Sequence, residues 1–407
     1  MKKIAIVTLA VALEGEKGYS RFRSLAEILS KEYSVDIITS SFQHWEKKQR
    51  DTDKLIRDNK DKPYRLKFAY EPGYKKNVDI KRFYSHKVAV KNILRVLGSA
   101  QYDLIYCIIP DNNMAAKVAK YAKVNGIRLI IDVEDLWPEA MQMVLHLPKL
   151  IDNIVLGSFR KDARRAYEMA DGVIGTSDEY RDIPYTKYGI DIKNRKTVYV
   201  GCDLLDYDLG VEEFINEISK AENEFWITYA GNLGSSYDIP TLIKAAQKIY
   251  AEDNQNIKIK ILGGGPLEES FKNIKEEKPC NVDFVGYTPY RKMAAYLVRS
   301  DVTINSFVKK APQSIVTKIG DYLAAGKPMI NTCSSPEFRN KVEHDGFGVN
   351  VIAEDIDKLA DVIMKLYKNP VMCKKMGNIA RKVAEEQFDR KQSYLIIRNM
   401  INDLLAE

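Results

Sequence analysis

The sequence of 407 residues is poor in the residues that build metal sites and disulfides. It has five cysteines, at positions 107, 202, 280, 333 and 373, and four histidines, and none of them lie at metal-ligand spacing. An odd number of scattered cysteines fits a reducing compartment and argues against disulfides or structural zinc. We therefore expect a cytoplasmic protein that needs no metal and carries no prosthetic group.

Long apolar runs and a dinucleotide fingerprint are also missing. No stretch of about 18 apolar residues is available for a membrane-spanning helix. The first ten residues resemble a secretion signal, but charges at 14–17 interrupt the pattern, and we expect a first buried strand there. The loop after it contains Gly15, Lys17 and Gly18 without G-x-G-x-x-G, so a bound NAD is unsupported.

What the sequence does contain is an α/β alternation that occurs twice. Apolar strands are predicted at 4–9, 35–39, 65–70, 103–109, 128–133, 172–176 and 196–200, and again at 226–230, 257–262, 282–285, 301–305 and 328–332, with helices between them. This pattern predicts two Rossmann-like α/β domains. The acidic, polar residues 202–224 mark the boundary, which gives domains at 1–205 and 206–385 and a C-terminal helix at 386–407. Residues 40–63 are polar and predict a long loop or a mobile insertion.

The net charge of +7 is concentrated in one segment. Residues 47–95 hold 16 Lys and Arg against 6 Asp and Glu, interleaved with aromatic residues. Such a patch suits an anionic membrane surface, nucleic acid or an anionic substrate. It is also typical of a solvated face in a lysine-rich protein, and the sequence leaves these alternatives open.

Three turns in the second half follow apolar strands. They lie at 231–234, 263–266 and 313–318, and the first two are rich in glycine. A single glycine turn is usually only a tight turn that needs positive φ. Because all three come at the carboxyl ends of strands, we expect them on one edge of one sheet, where ligands bind in open α/β folds.

The third turn continues into the stretch on which the functional hypothesis depends. Residues 313–330 predict a short loop, a helix at 315–325 that ends at Gly326, and a strand from 328. Free amides at a helix start attract anions, and Lys318 in the first turn indicates that an anion binds nearby. Asp321 follows at i+3, placed for a ribose diol beside a diphosphate. An amphipathic helix with a surface lysine would also fit this stretch.

Two acids follow the strand at 128–133. Glu134 and Asp135 lie just past its carboxyl end, before Trp137 and Pro138. That position favours a ligand contact. Asp135 would equally serve as the cap of a following helix, and one residue can do both.

These motifs together resemble the retaining glycosyltransferases of family 4. The resemblance rests on YAGNLG at 229–234, ILGGGP at 261–266, VDFVGY at 282–287, the stretch at 314–328 and VEDLWP at 133–138. It is strongest over 226–390, thin over 40–100, and closest to enzymes of bacterial capsule, O-antigen and exopolysaccharide synthesis. It implies the GT-B fold, in which two Rossmann-like domains face a cleft and a C-terminal helix crosses back to the first domain.

The resemblance also implies roles for single residues. The family's signature is two glutamates eight positions apart: the second, which binds the ribose, corresponds to Asp321, and the first, which touches the donor sugar, corresponds to Gln313. Lys318 matches the phosphate-binding lysine. The implied nucleotide-sugar site comprises Gly231, Asn232, Leu233, Gly264, Gly265, Tyr287, Gln313, Ser314, Ile315, Val316, Thr317, Lys318 and Asp321.

The implied reaction is a front-face transfer in which the leaving diphosphate helps to deprotonate the acceptor. Lys318, Asp135 and Glu134 are the catalytic candidates, with Asp135 as an acceptor or sugar contact. The expected donor is a UDP-sugar, and the expected acceptor is a lipid-diphosphate-linked or saccharide molecule at the inner membrane face, reached through residues 47–95. A nucleotide-sugar 2-epimerase and an inactive binding subunit remain alternatives, while no module for nucleic acid is visible.

Overall fold

The computed structural model describes residues 1–16, 18, 20–76, 79–135, 137, 149–311 and 315–406. The chain divides into two compact units, Met1–Val198 with Tyr394–Glu407, and Tyr199–Ser393. The first unit ends at Val198, earlier than the predicted boundary at residue 205. The helix at Leu204–Phe214 packs within the second unit. Among the described helices, none is both long enough and apolar enough to cross a membrane.

The first unit alternates strands and helices along the chain. Its strands are β1 Lys3–Val7, β2 Ser34–Ser40, β3 Phe42–Gln43, β4 Lys48–Gln49, β5 Arg65–Ala69, β6 Leu104–Ile109, β7 Arg128–Val133, β8 Gly172–Gly175 and β9 Asn194–Thr197. Its helices are α1 Arg21–Leu29, α2 Thr52–Asp58, α3 Ile80–Leu97, α4 Asn112–Val124, α5 Lys149–Glu168, α6 Asp178–Arg181, α7 Ile183–Tyr188 and, at the end of the chain, α17 Leu395–Ala406.

Seven of these strands form one parallel sheet in the order β5-β2-β1-β6-β7-β8-β9. Successive side chains of β1 enter opposite cores: Ile4 and Ile6 pack towards α1 and α17, and Ala5 and Val7 towards α3 and α4. Both faces of the sheet are therefore covered, as the uninterrupted apolar strands predict. The chain leaves β1 for β2 on one side and returns to β6 on the other. The carboxyl ends of β1 and β6 are thus a topological switch point, where open α/β sheets bind ligands.

The second unit repeats this plan. Its strands are β10 Phe225–Ala230, β11 Ile257–Leu262, β12 Val282–Gly286, β13 Val302–Asn305, β14 Met329–Asn331 and β15 Gly348–Asn350. Its helices are α8 Leu204–Phe214, α9 Ile239–Ala251, α10 Glu268–Glu276, α11 Tyr290–Arg299, α12 Lys318–Ala324, α13 Pro336–Asp345, α14 Ile356–Tyr367, α15 Pro370–Val383 and α16 Arg390–Ser393. The parallel order β12-β11-β10-β13-β14-β15 places the switch point between β10 and β13.

Residues 40–63 differ from the predicted long loop. They contain the hairpin of β3 and β4 and the helix α2, which Asp51 caps by accepting from Lys54 N. Arg50 fixes the hairpin, because its guanidinium binds both carboxylate oxygens of Glu16 at 2.8–2.9 Å and the carbonyl of Ser40 at 2.7 Å. Elements of two residues are too short to produce a periodic pattern, so the sequence could not reveal them.

One glycine turn requires the absence of a side chain. Gly263 has φ +120°, and a Cβ built on it would lie 1.9 Å from the carbonyl oxygen of Gly231. The turn after β11 therefore packs directly against the turn after β10, backbone to backbone. Only glycine allows both this conformation and this approach.

A buried ion cluster joins four elements of the first unit. The Arg21 guanidinium at the start of α1 contacts Asp132 of β7 at 2.9 Å and Glu134 at 2.8 Å, and the Tyr106 hydroxyl of β6 donates to Asp132 at 2.7 Å. The Tyr394 ring beside α17 lies 5.7 Å from the guanidinium carbon. Burial raises the pKa of Asp132, and the charge of Arg21 opposes that rise. The carboxylate therefore depends on the cation.

We predict that Arg21→Met lowers the free energy of unfolding by about 3–5 kcal/mol, since it leaves buried carboxylates without their cation. Arg164→Met is the matched control, because Arg164 pairs with Glu168 on an exposed helix face, and we expect less than about 1 kcal/mol there. Urea unfolding measures both. Equal losses in the two variants would contradict the buried cluster, and Arg21→Met combined with Asp132→Asn should recover part of the loss.

We predict that Gly263→Ala destabilises the second unit more than Gly286→Ala. Gly286 also has positive φ, +81°, but a Cβ there meets no atom within 4 Å. The control should therefore cost only the conformational term of about 1–2 kcal/mol, while Gly263→Ala adds a clash with backbone. Thermal unfolding compares the two, and equal midpoints would show that the turns are not packed together.

Candidate functional site

The switch point of the second sheet gathers the predicted glycine turns. Gly231 N donates to Leu262 O at 2.9 Å, Leu233 N donates to Gly264 O at 3.0 Å, and Gly263 N donates to Gly286 O at 2.8 Å. The turns after β10, β11 and β12 thus lie side by side at the carboxyl ends of their strands. The structure brings together Gly231, Asn232, Leu233, Gly264 and Gly265, with a Cβ on Gly265 only 2.6 Å from the Asn232 side-chain oxygen.

Lys318 lies beside this turn in an unusual environment. Its Nζ is fully buried, and within the described part of the chain it has no hydrogen-bond partner. The ammonium group lies 4.4 Å from the ring centre of Tyr229, 4.3 Å from that of Tyr237 and 5.0 Å from that of Phe307. A Cβ on Gly231 would be 3.7 Å from Nζ. We call these three rings the aromatic cage.

The cage only partly replaces the water that the ammonium group has lost. Burial lowers the pKa of Lys318 from 10.5 to about 7. The faces of aromatic rings attract cations, but each contributes only about 0.5–2 kcal/mol. An anion bound next to Gly231 would therefore stabilise the charged form of Lys318 strongly.

The helix that carries Lys318 begins later than the sequence predicts. The prediction of a helix at 315–325 is wrong at its start, since α12 runs from Lys318 to Ala324 with Thr317 as N-cap. Ile315, Val316 and Thr317 form a β-branched run, which loses side-chain freedom in a helix. Ile315 is buried, Val316 accepts from Ile319 N at 3.1 Å, and Thr317 is exposed. Gln313 and Ser314 lie outside the described residues.

Asp321 and Tyr287 complete the predicted donor residues. Burial raises the pKa of Asp321 to about 6, while a hydrogen bond from the Tyr290 hydroxyl, 2.9 Å from Oδ1, and the charge of Arg390 limit the rise. Tyr287 follows β12 and is 73% exposed. No motif in the sequence pointed to Tyr290, because its hydroxyl contacts a carboxylate that lies 31 residues further along the chain.

In the first unit, the two predicted acids have different surroundings. Glu134 belongs to the ion cluster with Arg21, whereas Asp135 lines a cavity. In the N-terminal glycine loop, Gly15 has φ +79°, and Gly18 packs against the ring of Trp45, which also lines the cavity. Lys17 lies outside the described residues, as do most of the residues after Trp137 that Asp135 was expected to cap.

The sequence did not reveal most of this cavity. Its volume is about 330 Å³, and it lies at the switch point of the first sheet, where Leu9 and Ala10 follow β1, and Pro110 and Asp111 follow β6. The remaining lining residues are Phe42, His44, Trp45, Glu71, Tyr74, Arg82, His86, Asp135 and Trp137. They come from separate loops, from β3 and from α3, and apart from Asp135 and Trp137 none belongs to a motif that the sequence reveals. For the others, the position of Asp111 just past an apolar strand was the one available signal.

Hydrogen bonds fix the polar floor of the cavity. His86 Nδ1 donates to the Asp111 carboxylate at 2.8 Å, which lowers the pKa of Asp111 although burial opposes this. The Ser85 hydroxyl donates to Glu71 at 2.8 Å, and the Ser40 hydroxyl donates to its other oxygen. The described residues contain no cluster of three His, Cys, Asp or Glu side chains arranged as metal ligands.

Comparison with known proteins identifies the second unit. Residues 210–383 match the family described as glycosyl transferases group 1. The putative colanic acid biosynthesis glycosyl transferase WcaI of Escherichia coli (strain K12) is 23% identical over 201 residues, which are 48% of this chain and 47% of that protein. The chain thus matches about half the length of this curated relative.

Solved structures extend the likeness to both units. HepE of Anabaena in complex with UDP has a TM-score of 0.69 at 14% identity, and sucrose-phosphate synthase from Thermosynechococcus elongatus has 0.74 at 17%. In both cases the match covers 100% of this chain and of the other. At these identities the likeness concerns the fold. The expected fold is confirmed: the chain has the GT-B fold of glycosyltransferases, and its second unit contains a group 1 glycosyl transferase domain.

Proposed function

We propose that the protein is a retaining glycosyltransferase that moves a sugar from a UDP-sugar to a saccharide or lipid-linked acceptor. The observation that carries this proposal is the buried ammonium group of Lys318, which has no hydrogen-bond partner among the described residues and lies beside the Gly231 turn. A donor diphosphate would supply the missing anion. The UDP and UDP-glucose complexes of HepE support a UDP-linked donor, and the likeness to WcaI supports a role in surface polysaccharide synthesis.

The proposed donor site uses the residues at the second switch point. The diphosphate lies over the Gly231–Gly234 turn with Lys318, and the ribose diol binds Asp321, which Tyr290 orients through its hydroxyl. The base lies towards Tyr287, whose exposed ring follows β12. Aspartate is one methylene shorter than the glutamate expected at position 321. Gln313, in place of a glutamate, removes a charge and adds two donors near the sugar.

The proposed chemistry is a front-face substitution. The acceptor hydroxyl oxygen bonds to the anomeric carbon while the bond from that carbon to the diphosphate oxygen breaks. The hydroxyl proton passes to the departing diphosphate, so UDP leaves with the bonding electrons. Lys318 stabilises the negative charge that develops on the leaving group, and this stabilisation is strong because the surroundings exclude water. Asp135, in the cavity of the first unit, is the proposed acceptor contact.

We further propose that the first unit contacts an anionic membrane surface, where a lipid-linked acceptor would lie. Lys81, Lys87, Lys91 and Arg95 are exposed on α3, and helical periodicity places them on one side with Tyr84, which is 64% exposed. We call this surface the basic stripe. Each lysine near an anionic membrane contributes about 1 kcal/mol.

We predict that Lys318→Met raises the thermal midpoint of the protein below pH 7, because it removes a buried charge while filling the cage. The same change should abolish stabilisation by UDP and lower turnover of a UDP-sugar roughly 100-fold or more. A thermal-shift screen with UDP, GDP, ADP and CMP should show the largest shift with UDP. UDP stabilisation that survives in Lys318→Met would refute the phosphate assignment.

Proton uptake gives an independent test of the same lysine. The free amine has a pKa of about 7, and a bound diphosphate should raise it, so binding at pH 8 should take up close to one proton. Affinity for UDP should accordingly fall as the pH rises above 7. Titration calorimetry in buffers of different ionisation enthalpy measures the uptake. In Lys318→Arg the guanidinium is always charged, so uptake should vanish while charge is kept.

We predict that replacing Lys81, Lys87 and Lys91 together by Glu abolishes sedimentation with anionic vesicles at low salt. The matched control replaces three exposed lysines of the second unit by Glu, namely Lys365, Lys368 and Lys375. It makes the same change in charge elsewhere on the protein and should leave sedimentation intact. Vesicles of neutral lipid are the second control. If both triple variants sediment as the original protein does, the basic stripe is only a solvated surface.

A further inference from the structure

The cavity of the first unit has aromatic walls. Phe42, Trp45, Tyr74 and Trp137 line it, and the rings of Phe42 and Tyr74 pack at 5.0 Å between centres. The guanidinium of Arg82 lies 4.8 Å from the Trp137 ring and 5.4 Å from the Tyr74 ring, which fixes both rings beside it. The negative faces of such rings attract the polarised C–H bonds of a sugar ring as well as cations.

The N-terminal glycine loop packs against the ring of Trp45 and so helps to fix its position. Gly18 has φ +121°, and a Cβ there would lie 2.4 Å from the Trp45 ring. Glu16 in the same loop is held by Arg50 after β4, so an ion pair joins the loop to the hairpin that carries Trp45. The loop therefore shapes a wall of the cavity.

The charges around the cavity favour hydroxyl groups over anions. Three carboxylates line it, on Glu71, Asp111 and Asp135, against the single guanidinium of Arg82. Burial, with the charges of Lys47 and Arg82, lowers the pKa of His44 to about 3, so His44 is neutral at physiological pH. Lys47, 4.7 Å from the Tyr74 ring, adds one cation near the cavity. Carboxylates accept hydrogen bonds from hydroxyls, but they repel phosphate or a second carboxylate.

The volume agrees with this chemistry. About 330 Å³ is at the lower end of the range for small-molecule sites, roughly 300–1,000 Å³. The cavity has what a sugar ring requires: flat apolar walls, and fixed polar groups that include both hydrogen-bond donors and acceptors. It lacks an excess of cations, which a diphosphate would need.

We propose that this cavity binds an uncharged sugar ring of the acceptor, so that the enzyme extends an existing saccharide rather than glycosylating a lipid phosphate directly. Trp45 and Trp137 stack on the ring, and Asp135, Glu71 and Arg82 hydrogen-bond its hydroxyls. Any lipid diphosphate of the acceptor lies outside the cavity. This inference rests on the proposed transfer and selects between its two acceptor classes.

Ligand-observed NMR with the full-length chain in the presence of UDP tests the proposal. The probes are neutral methyl hexosides and methyl N-acetylhexosaminides, methyl glucuronide as an acidic sugar, and farnesyl diphosphate as a lipid diphosphate. We expect saturation transfer to at least one neutral glycoside and none to the glucuronide. Transfer only to the acidic sugar or to farnesyl diphosphate would overturn the proposal, as would no transfer to any neutral glycoside.

Two variants locate the binding. Trp137→Ala should weaken the neutral glycoside at least 10-fold, and Asp135→Asn should weaken it while leaving the thermal midpoint unchanged. Tyr185→Ala removes an exposed ring elsewhere in the first unit and should have no effect. Unaltered glycoside binding in both cavity variants would overturn the assignment of the site.

Stabilisation by UDP separates this inference from the proposed function. Trp137→Ala should keep it, because the proposed donor site lies in the other unit. Glycoside binding without any UDP stabilisation of the original protein would count against the transferase proposal alone. UDP stabilisation without glycoside binding would count against the sugar cavity alone.

Discussion

The buried ammonium group of Lys318 is the constraint on which the second unit's site depends. Taking a lysine from a pKa of 10.5 to about 7 corresponds to roughly 5 kcal/mol of lost stabilisation of the charged form. The aromatic cage returns only part of it. The cage in turn requires Tyr229 at the end of β10, Tyr237 before α9 and Phe307 after β13, so three segments of the sheet edge are fixed around one side chain. Such a site is unfavourable when empty and favourable when an anion arrives.

The first unit applies a different principle at its own switch point. There Arg21 pairs with Asp132 and Glu134, and His86 binds Asp111, before any ligand is present. In the cavity itself the carboxylates outnumber the guanidinium of Arg82, which suits hydroxyl groups rather than anions. The two units share a fold, their candidate sites lie at the same edge of their sheets, and the electrostatics of the two sites differ. The proposed transfer would use this difference, since its donor carries a diphosphate and its acceptor presents a hydroxyl group.

Glu134 and Asp135 show how far sequence reasoning extends. Both lie past the carboxyl end of β7, and the sequence treated them alike as candidates. A single residue of difference turns one side chain towards Arg21 in the core and places the other at the cavity. The start of α12 shows the same limit. The amphipathic pattern predicts a helix from residue 315, but α12 begins only at Lys318, after the β-branched run at 315–317. Patterns of burial locate elements well, but they do not give the direction of individual polar side chains.

The sequence alone determined the two α/β units, the order of most strands and helices, the alignment of the glycine turns and the choice of Lys318 and Asp321 as candidate site residues. These features are local: apolar runs, turn residues and spacing along the chain carry them. Tertiary structure decided the aromatic cage, the bond from Tyr290 to Asp321, the buried Arg21 cluster and the cavity with Arg82, His86 and Trp137. Each of these joins residues that are distant in sequence, and their contacts exist only after parallel strands have aligned their carboxyl ends. The desolvation that sets the pKa values of Lys318 and Asp321 arises at the same step, because it depends on what packs around a group rather than on its neighbours in the chain.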